Sequence, residues 1–162
     1  EDDDGELHEE KVTRLQNLTN SSNMGFNLIT KYPRADYICI DEPEARLALH
    51  DRTSELETII GRLSSQLDAQ FITVTGGHHG CLVHSKKEGS FRIPAFTRTV
   101  IDTVGAGDAF LSLSSPCVAM GVPMEQAGFI GNVAGALKVG IVGNRSSIEK
   151  TPLLKYINTL LK

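Results

Sequence analysis

The sequence predicts an α/β fold around a largely parallel sheet, and three observations carry that expectation. Short β-type runs, "ADYICID" (35–41), "FITVT" (71–75) and "CLVH" (81–84), alternate with stretches of helical spacing. Apolar residues at Leu56, Ile59, Ile60, Leu63 and Leu67 recur on one helical face. The segments "IDE", "TGGHHG" and "DTVGAGD", rich in glycine or acid, fall at strand ends along one edge, where open α/β sheets place their ligands.

The elements follow in order. Residues 1–10, EDDDGELHEE, hold seven acids and no Lys or Arg, and read as a solvated end or a non-native addition. Residues 13–32 are rich in Asn, Ser and Thr and read as a strand remnant or loop, with a short helix near Phe26–Lys31. Residues 35–41 form a buried strand, and Pro43 stands near the first turn of a helix over 42–49. Residues 54–67 form an amphipathic helix. The strand 71–75 turns through "GGHHG" and returns as 81–84, a hairpin-like pair, and "KKEGS" turns the chain again before "FRIPAF". Residues 108–120 are helical with an interruption and a kink expected at Pro116. Mixed Ala and Gly spacing over 124–142 suits a close-packed helix, and 152–161 forms a short amphipathic terminal helix.

Bulk properties narrow the function. The chain has 162 residues, the size of one domain. Its net charge of −4 is dominated by the first ten residues; without them 13 acids face 16 bases. That mild positive balance suits an anionic small molecule and is not the footprint of a nucleic-acid binder. No apolar run nears the ~20 residues a membrane helix needs, and the acidic start is not a secretory signal. Cys39, Cys81 and Cys117 are widely spaced, forming neither a zinc site nor a disulfide framework. A reducing cytoplasm is expected, which makes the sequons at Asn17, Asn20 and Asn144 chance matches.

The most informative stretch is "VIDTVGAGDAF" (100–110). Gly105, Ala106 and Gly107 stand at a loop-to-helix junction, where backbone N–H groups lack internal partners and carry partial positive charge. Small side chains let an anion approach that backbone. Asp108 then stands in the first turn beside whatever anion is held. Like charges repel, so the acid makes sense if it takes a proton from an incoming hydroxyl that attacks phosphorus. The alternative is an ordinary aspartate near a helix start.

This stretch resembles the signature of the ribokinase/PfkB family of carbohydrate kinases, Asp-Thr-x-Gly-Ala-Gly-Asp. The resemblance implies a ribokinase-like three-layer α/β sandwich, with residues 11–162 as the C-terminal, ATP-binding portion of a kinase domain. It implies Asp108 as catalytic base and the amides of Gly105, Ala106 and Gly107 as the hole for the transferred phosphate of ATP. No GxxxxGK[ST] motif occurs, so a P-loop is not the phosphate binder.

Other segments fit the same family. "DEPE" (41–44) resembles its Asn-x-x-Glu motif, which implies that Glu44 helps organise Mg2+ through water; Asp41 departs from the usual Asn, and a surface helix acid is the plain alternative for Glu44. "TVTGGHHG" (73–80) resembles its nucleotide turn, which implies Thr75, Gly77 and Gly80 beside ATP. His78 and His79 lie outside that pattern and read as a solvent-facing turn or as phosphate contacts. Asn132 falls in the helix that lines the nucleotide base in family members, with helix packing or capping as the alternative. "GNRSS" (143–147) resembles a segment that holds a monovalent cation, K+, with Asp102, Val104, Gly143 and Ser147 at the matching positions. Asp102 could equally hold magnesium or orient its loop.

The resemblance covers roughly residues 15–160 and only the C-terminal half of a family kinase. It implies a MgATP-dependent phosphotransferase acting on a sugar or sugar-phosphate hydroxyl, with the region 23–48 most similar to the branch that holds heptose-phosphate kinases. The half that should carry most of the acceptor site has no counterpart, so either a missing N-terminal half or self-association is expected. A non-catalytic nucleotide-binding or regulatory module, and a kinase of another small alcohol such as a vitamin precursor, are the competing functions. No nucleic-acid or membrane partner is expected.

Overall fold

The computed structural model of the chain describes residues 28–32, 35–97, 99–143 and 145–162. Expectations for residues 1–27, including the acidic end, lie outside them; of the short helix near Phe26–Lys31, a 3-10 turn at Ile29–Lys31 lies within. The strands are β1 (Tyr37–Asp41), β2 (Phe71–Thr75), β3 (Cys81–Ser85) and β4 (Gly89–Ile93). They pair in that order, β1 with β2 parallel and the other two pairs antiparallel. Among the described residues the sheet is therefore mixed rather than largely parallel. Parallel pairing needs a crossover of a dozen or more residues, which the segment between β1 and β2 provides. The links after β2 and β3 are tight turns, which permit only hairpins. The second hairpin starts earlier than "FRIPAF", since Gly89 and Ser90 already pair with Ser85 and His84.

Both faces of the sheet are covered, which is why the inner strands read as nearly continuous apolar runs. Ile38, Ile40, Ile72, Val74 and Leu82 pack with α1 (Glu42–Ala48) and α2 (Leu56–Gln66). Tyr37, Cys39, Cys81 and Val83 pack with α3 (Ala106–Ala119) and α4 (Met124–Lys138). The result is the helix–sheet–helix sandwich the resemblance implied, with α5 (Lys150–Leu160) lying against α4.

Local chemistry explains the helices. Asp41 accepts the Glu44 N–H at 2.7 Å and Glu44 accepts the Asp41 N–H at 3.3 Å, a capping box that starts α1. On α2, Leu56, Ile59, Ile60 and Leu63 are all buried, each contributing roughly 1.5–3 kcal/mol. Asp68, at φ 45°, turns the chain out after it. The glycines of α4 allow close approach. A Cβ on Gly131 would stand 2.7 Å from the Phe110 ring of α3, and one on Gly128 would stand 2.6 Å from Val83 and Ile93 of the sheet. α3 stays helical through Pro116, where the sequence predicts an interruption, and the Met120 N–H still bonds the Pro116 carbonyl at 3.0 Å. α4 ends at Lys138, short of residue 142, because the chain folds back there. The carbonyl of Val139 accepts the N–H groups of Ile101 and Asp102 at 2.8 and 3.1 Å.

Candidate active site

The layered arrangement brings three sheet-edge segments and α4 to one cleft of ≈ 520 Å³. Asp41, Glu42 and Pro43 line it from the end of β1. Thr75, Gly77, His78 and Gly80 line it from the turn after β2. Ala106 and Gly107 come from the start of α3, and Asn132 comes from α4. Of the residues singled out in the sequence, Thr75, Gly77, Gly80, Ala106, Gly107 and Asn132 thus line one cleft, whereas Glu44, Asp102, Val104, Gly105, Asp108, Gly143 and Ser147 are not among its lining residues.

The start of α3 borders the cleft through Ala106 and Gly107. Gly105 caps the helix at φ 77°, a left-handed conformation that favours glycine. A Cβ on Gly107 would meet no heavy atom within 4 Å, and Gly107 lines the cleft. As second and third helical residues, Gly107 and Asp108 have N–H groups with no intrahelical acceptor. The Ala106 N–H, in contrast, is engaged by the Thr103 carbonyl at 3.2 Å. Asp108 is exposed in the first turn of α3, next in the chain to the cleft-lining Gly107, and is not itself among the lining residues. Its backbone carbonyl accepts the Ser112 hydroxyl at 2.7 Å.

Asp102 anchors the loop. Its Oδ1 accepts the Val104 N–H at 2.9 Å and its Oδ2 accepts the Gly143 N–H at 2.7 Å. These two amides, with the nearby Lys138 charge, hold its carboxyl below the usual carboxylate range. Of the two alternatives for Asp102, orientation of the loop is the role with geometry behind it. Val104 and Ser147 are exposed, and the Gly143 carbonyl accepts the Lys138 ammonium at 2.7 Å.

The turn after β2 separates two kinds of glycine. A Cβ on Gly77, at φ 56°, would meet nothing within 4 Å, so its backbone is open to a ligand. Gly80, at φ 85°, is required for a different reason: a Cβ there would stand 2.0 Å from the Ile93 carbonyl oxygen. The Thr75 hydroxyl donates to the Ile40 carbonyl at 3.4 Å and ties β2 to β1. Asn132 donates to the carbonyls of Ile93 and Pro94 at 3.3 and 3.2 Å, so it clasps the exit of β4 while facing the cleft. His78 and His79 are exposed with ring centroids 3.7 Å apart, and only His78 of the two lines the cleft.

Glu44 turns back onto the Asp41 amide, and burial raises its pKa above the ordinary value despite that bond. The acids lining the cleft at this end are Asp41 and Glu42. Glu42, which sequence reasoning missed, lies 3.9 Å from where a Gly76 side chain would begin and pairs with Arg46 at 2.7 Å. Its signal was the Glu–Arg spacing of four on a helix. Lys138 was missed too. Its signal was a lone charge inside the apolar run "GALKVGIV". Burial pushes the Cys39 and Cys81 thiols up to about 12, which disqualifies both as nucleophiles.

Known proteins share this fold and family signature. The model of the pfkB family carbohydrate kinases matches residues 11–151. A bifunctional protein HldE from Methylococcus capsulatus is 32% identical over 93 residues, 57% of this chain and 20% of that protein. The chain thus spans about a fifth of that curated relative's length. A Thermotoga maritima ribokinase superposes with a TM-score of 0.69 at 25% identity, over 83% of this chain and 46% of that one. Escherichia coli phosphofructokinase-2, solved in complex with potassium, gives 0.72 at 16% identity over 83% and 44% of the two chains.

Proposed function

The chain belongs to the pfkB family of carbohydrate kinases, and from that premise we propose that it forms the nucleotide-binding half of an ATP-dependent phosphotransferase acting on a sugar or sugar-phosphate hydroxyl. The observation that carries this reading is the open mouth of α3. Gly107 lines a cleft that the Gly76–Gly80 turn and Asn132 also line, a Cβ on it would meet no heavy atom within 4 Å, and Asp108 follows it, exposed, in the first turn.

In this reading the amides of Gly105 and Gly107 receive the terminal phosphate oxygens, and Ala106 joins when its bond to Thr103 opens. The Asp108 carboxylate accepts the proton of the acceptor hydroxyl as that oxygen bonds to phosphorus and ADP leaves with the electrons of the broken P–O bond. The transition state is loose and the proton leaves late, so positioning matters more than basicity. Thr75, Gly77 and Asn132 flank the rest of the nucleotide.

Magnesium favours hard oxygen ligands and keeps several waters. Asp41 and Glu42 offer carboxylates of that kind on the cleft, and Glu44 would act through water because one of its oxygens is on the Asp41 amide. When bound, the ion neutralises phosphate charge.

The likeness to the bifunctional protein HldE supports a sugar-phosphate acceptor and the heptose-phosphate kinase-like branch. Buried free thiols at Cys39 and Cys81 suit a reducing cytoplasm. Among the described residues β1 has a strand on one side only, and Val100, Ile101 and Val104 are exposed. Each feature by itself supports a further polypeptide segment or a second copy of the chain packing there.

The test is Asp108→Asn in a polypeptide that transfers phosphate. Turnover should fall by about 10²–10⁴, with ATP affinity nearly intact. Unchanged turnover would remove Asp108 as the base. A chain that binds ATP but transfers to no acceptor would favour a nucleotide-binding module instead.

A further inference from the structure

Lys138 is 6% exposed, although lysines seldom leave water without a partner. It is the last residue of α4, where the helix dipole is negative. Its ammonium donates to the Gly143 carbonyl at 2.7 Å. The amide of that same residue donates to Asp102 Oδ2 at 2.7 Å, and Asp102 Oδ1 accepts the Val104 N–H at 2.9 Å. Val104 precedes Gly105, the cap of α3. One continuous set of bonds therefore runs from the buried ammonium to the mouth of the phosphate hole.

A bare monovalent cation would seek the same ligands, a carbonyl oxygen with a carboxylate nearby. The cation position suggested for Asp102, Val104, Gly143 and Ser147 does not fit one here. The Gly143 oxygen already holds an ammonium at hydrogen-bond distance, and two unit charges on one carbonyl repel strongly away from bulk water.

We propose that Lys138 is a tethered substitute for that cation, a positioning residue whose ammonium clamps the 139–143 turn to the 102–105 loop, so that this nucleotide site works without potassium. The inference rests on the phosphate-binding reading of α3 and adds what holds that helix mouth in place.

The full chain is compared with Lys138→Met and Lys138→Arg in potassium, sodium and choline chloride at one ionic strength. Thermal melting and calorimetric titration with the magnesium complex of a non-hydrolysable ATP analogue are the two readouts. The native chain should melt and bind alike in all three salts. Lys138→Met should melt lower in choline and bind roughly tenfold more weakly there, with both properties recovering in potassium. Lys138→Arg should stay indifferent to the salt.

A native chain that melts higher or binds several-fold tighter in potassium than in choline overturns the proposal, and so does a Lys138→Met chain insensitive to the cation. If Lys138→Met does not fold, the salt response of the native chain decides by itself. If no nucleotide binds in any salt, the kinase reading fails, while the melting series still judges Lys138 separately.

Discussion

Asp102 joins two distant segments by accepting the Gly143 N–H at 2.7 Å, which fixes the loop before α3 to the turn after α4. Such charge-assisted bonds are the strong ones, and they keep the Asp102 carboxyl below its ordinary range. Asp51 is lowered further, to about 2, chiefly by the Ser54 amide and hydroxyl. For a carboxyl with a depressed folded pKa, the stability gained is present above the unfolded value of about 3.9 and is lost as pH falls through the folded value. Urea midpoints should therefore be flat with respect to these groups above about pH 5 and fall below about pH 4. Asp102→Asn should flatten part of that fall. A midpoint that rises on acidification contradicts the assignment.

Tyr37 gives a second prediction. Its hydroxyl is buried, donates to Thr73 Oγ1 at 3.1 Å and lies 3.0 Å from Ser114 Oγ, linking β1, β2 and α3. Tyr37→Phe takes the Tyr37 donor from the buried Thr73 hydroxyl, while Ser114 keeps its bond to the Leu111 carbonyl at 3.4 Å, and should cost about 1–3 kcal/mol by denaturant titration. A neutral change would show that the Thr73 hydroxyl finds another partner.

Two glycines should respond in opposite ways. Gly131→Ala drives a methyl to 2.7 Å from the Phe110 ring and should destabilise by about 1–3 kcal/mol. Gly107→Ala meets nothing within 4 Å and should leave stability unchanged or raise it by up to ~1 kcal/mol. If the α3 mouth holds phosphate as proposed, the same methyl on the cleft-lining Gly107 should lower nucleotide affinity. Calorimetric binding and melting on both variants check the contrast; undiminished binding by Gly107→Ala would count against the hole.

What could be read beforehand was local. The helix start at Pro43, the 56–63 periodicity and the "GGHHG" hairpin each carry their cause within a few residues. What was not legible depends on distant neighbours. Gly80 is glycine because of Ile93, and Asn132, while lining the cleft, also bonds the carbonyls of Ile93 and Pro94. Glu42, not the expected Glu44, lines the cleft, because that depends on which way one helical turn faces. Alternation of elements points to a largely parallel sheet, yet the sheet is mixed because the turns after β2 and β3 are too short for crossovers.

The most direct test follows backbone amides by nuclear magnetic resonance while the magnesium complex of an ATP analogue is added. The largest shifts are expected at Gly105, Gly107 and Asp108, with Gly77 next and the α2 amides still. Saturating nucleotide that leaves the Gly105–Asp108 amides unmoved, or that shifts only residues elsewhere, would contradict a phosphate site at the mouth of α3.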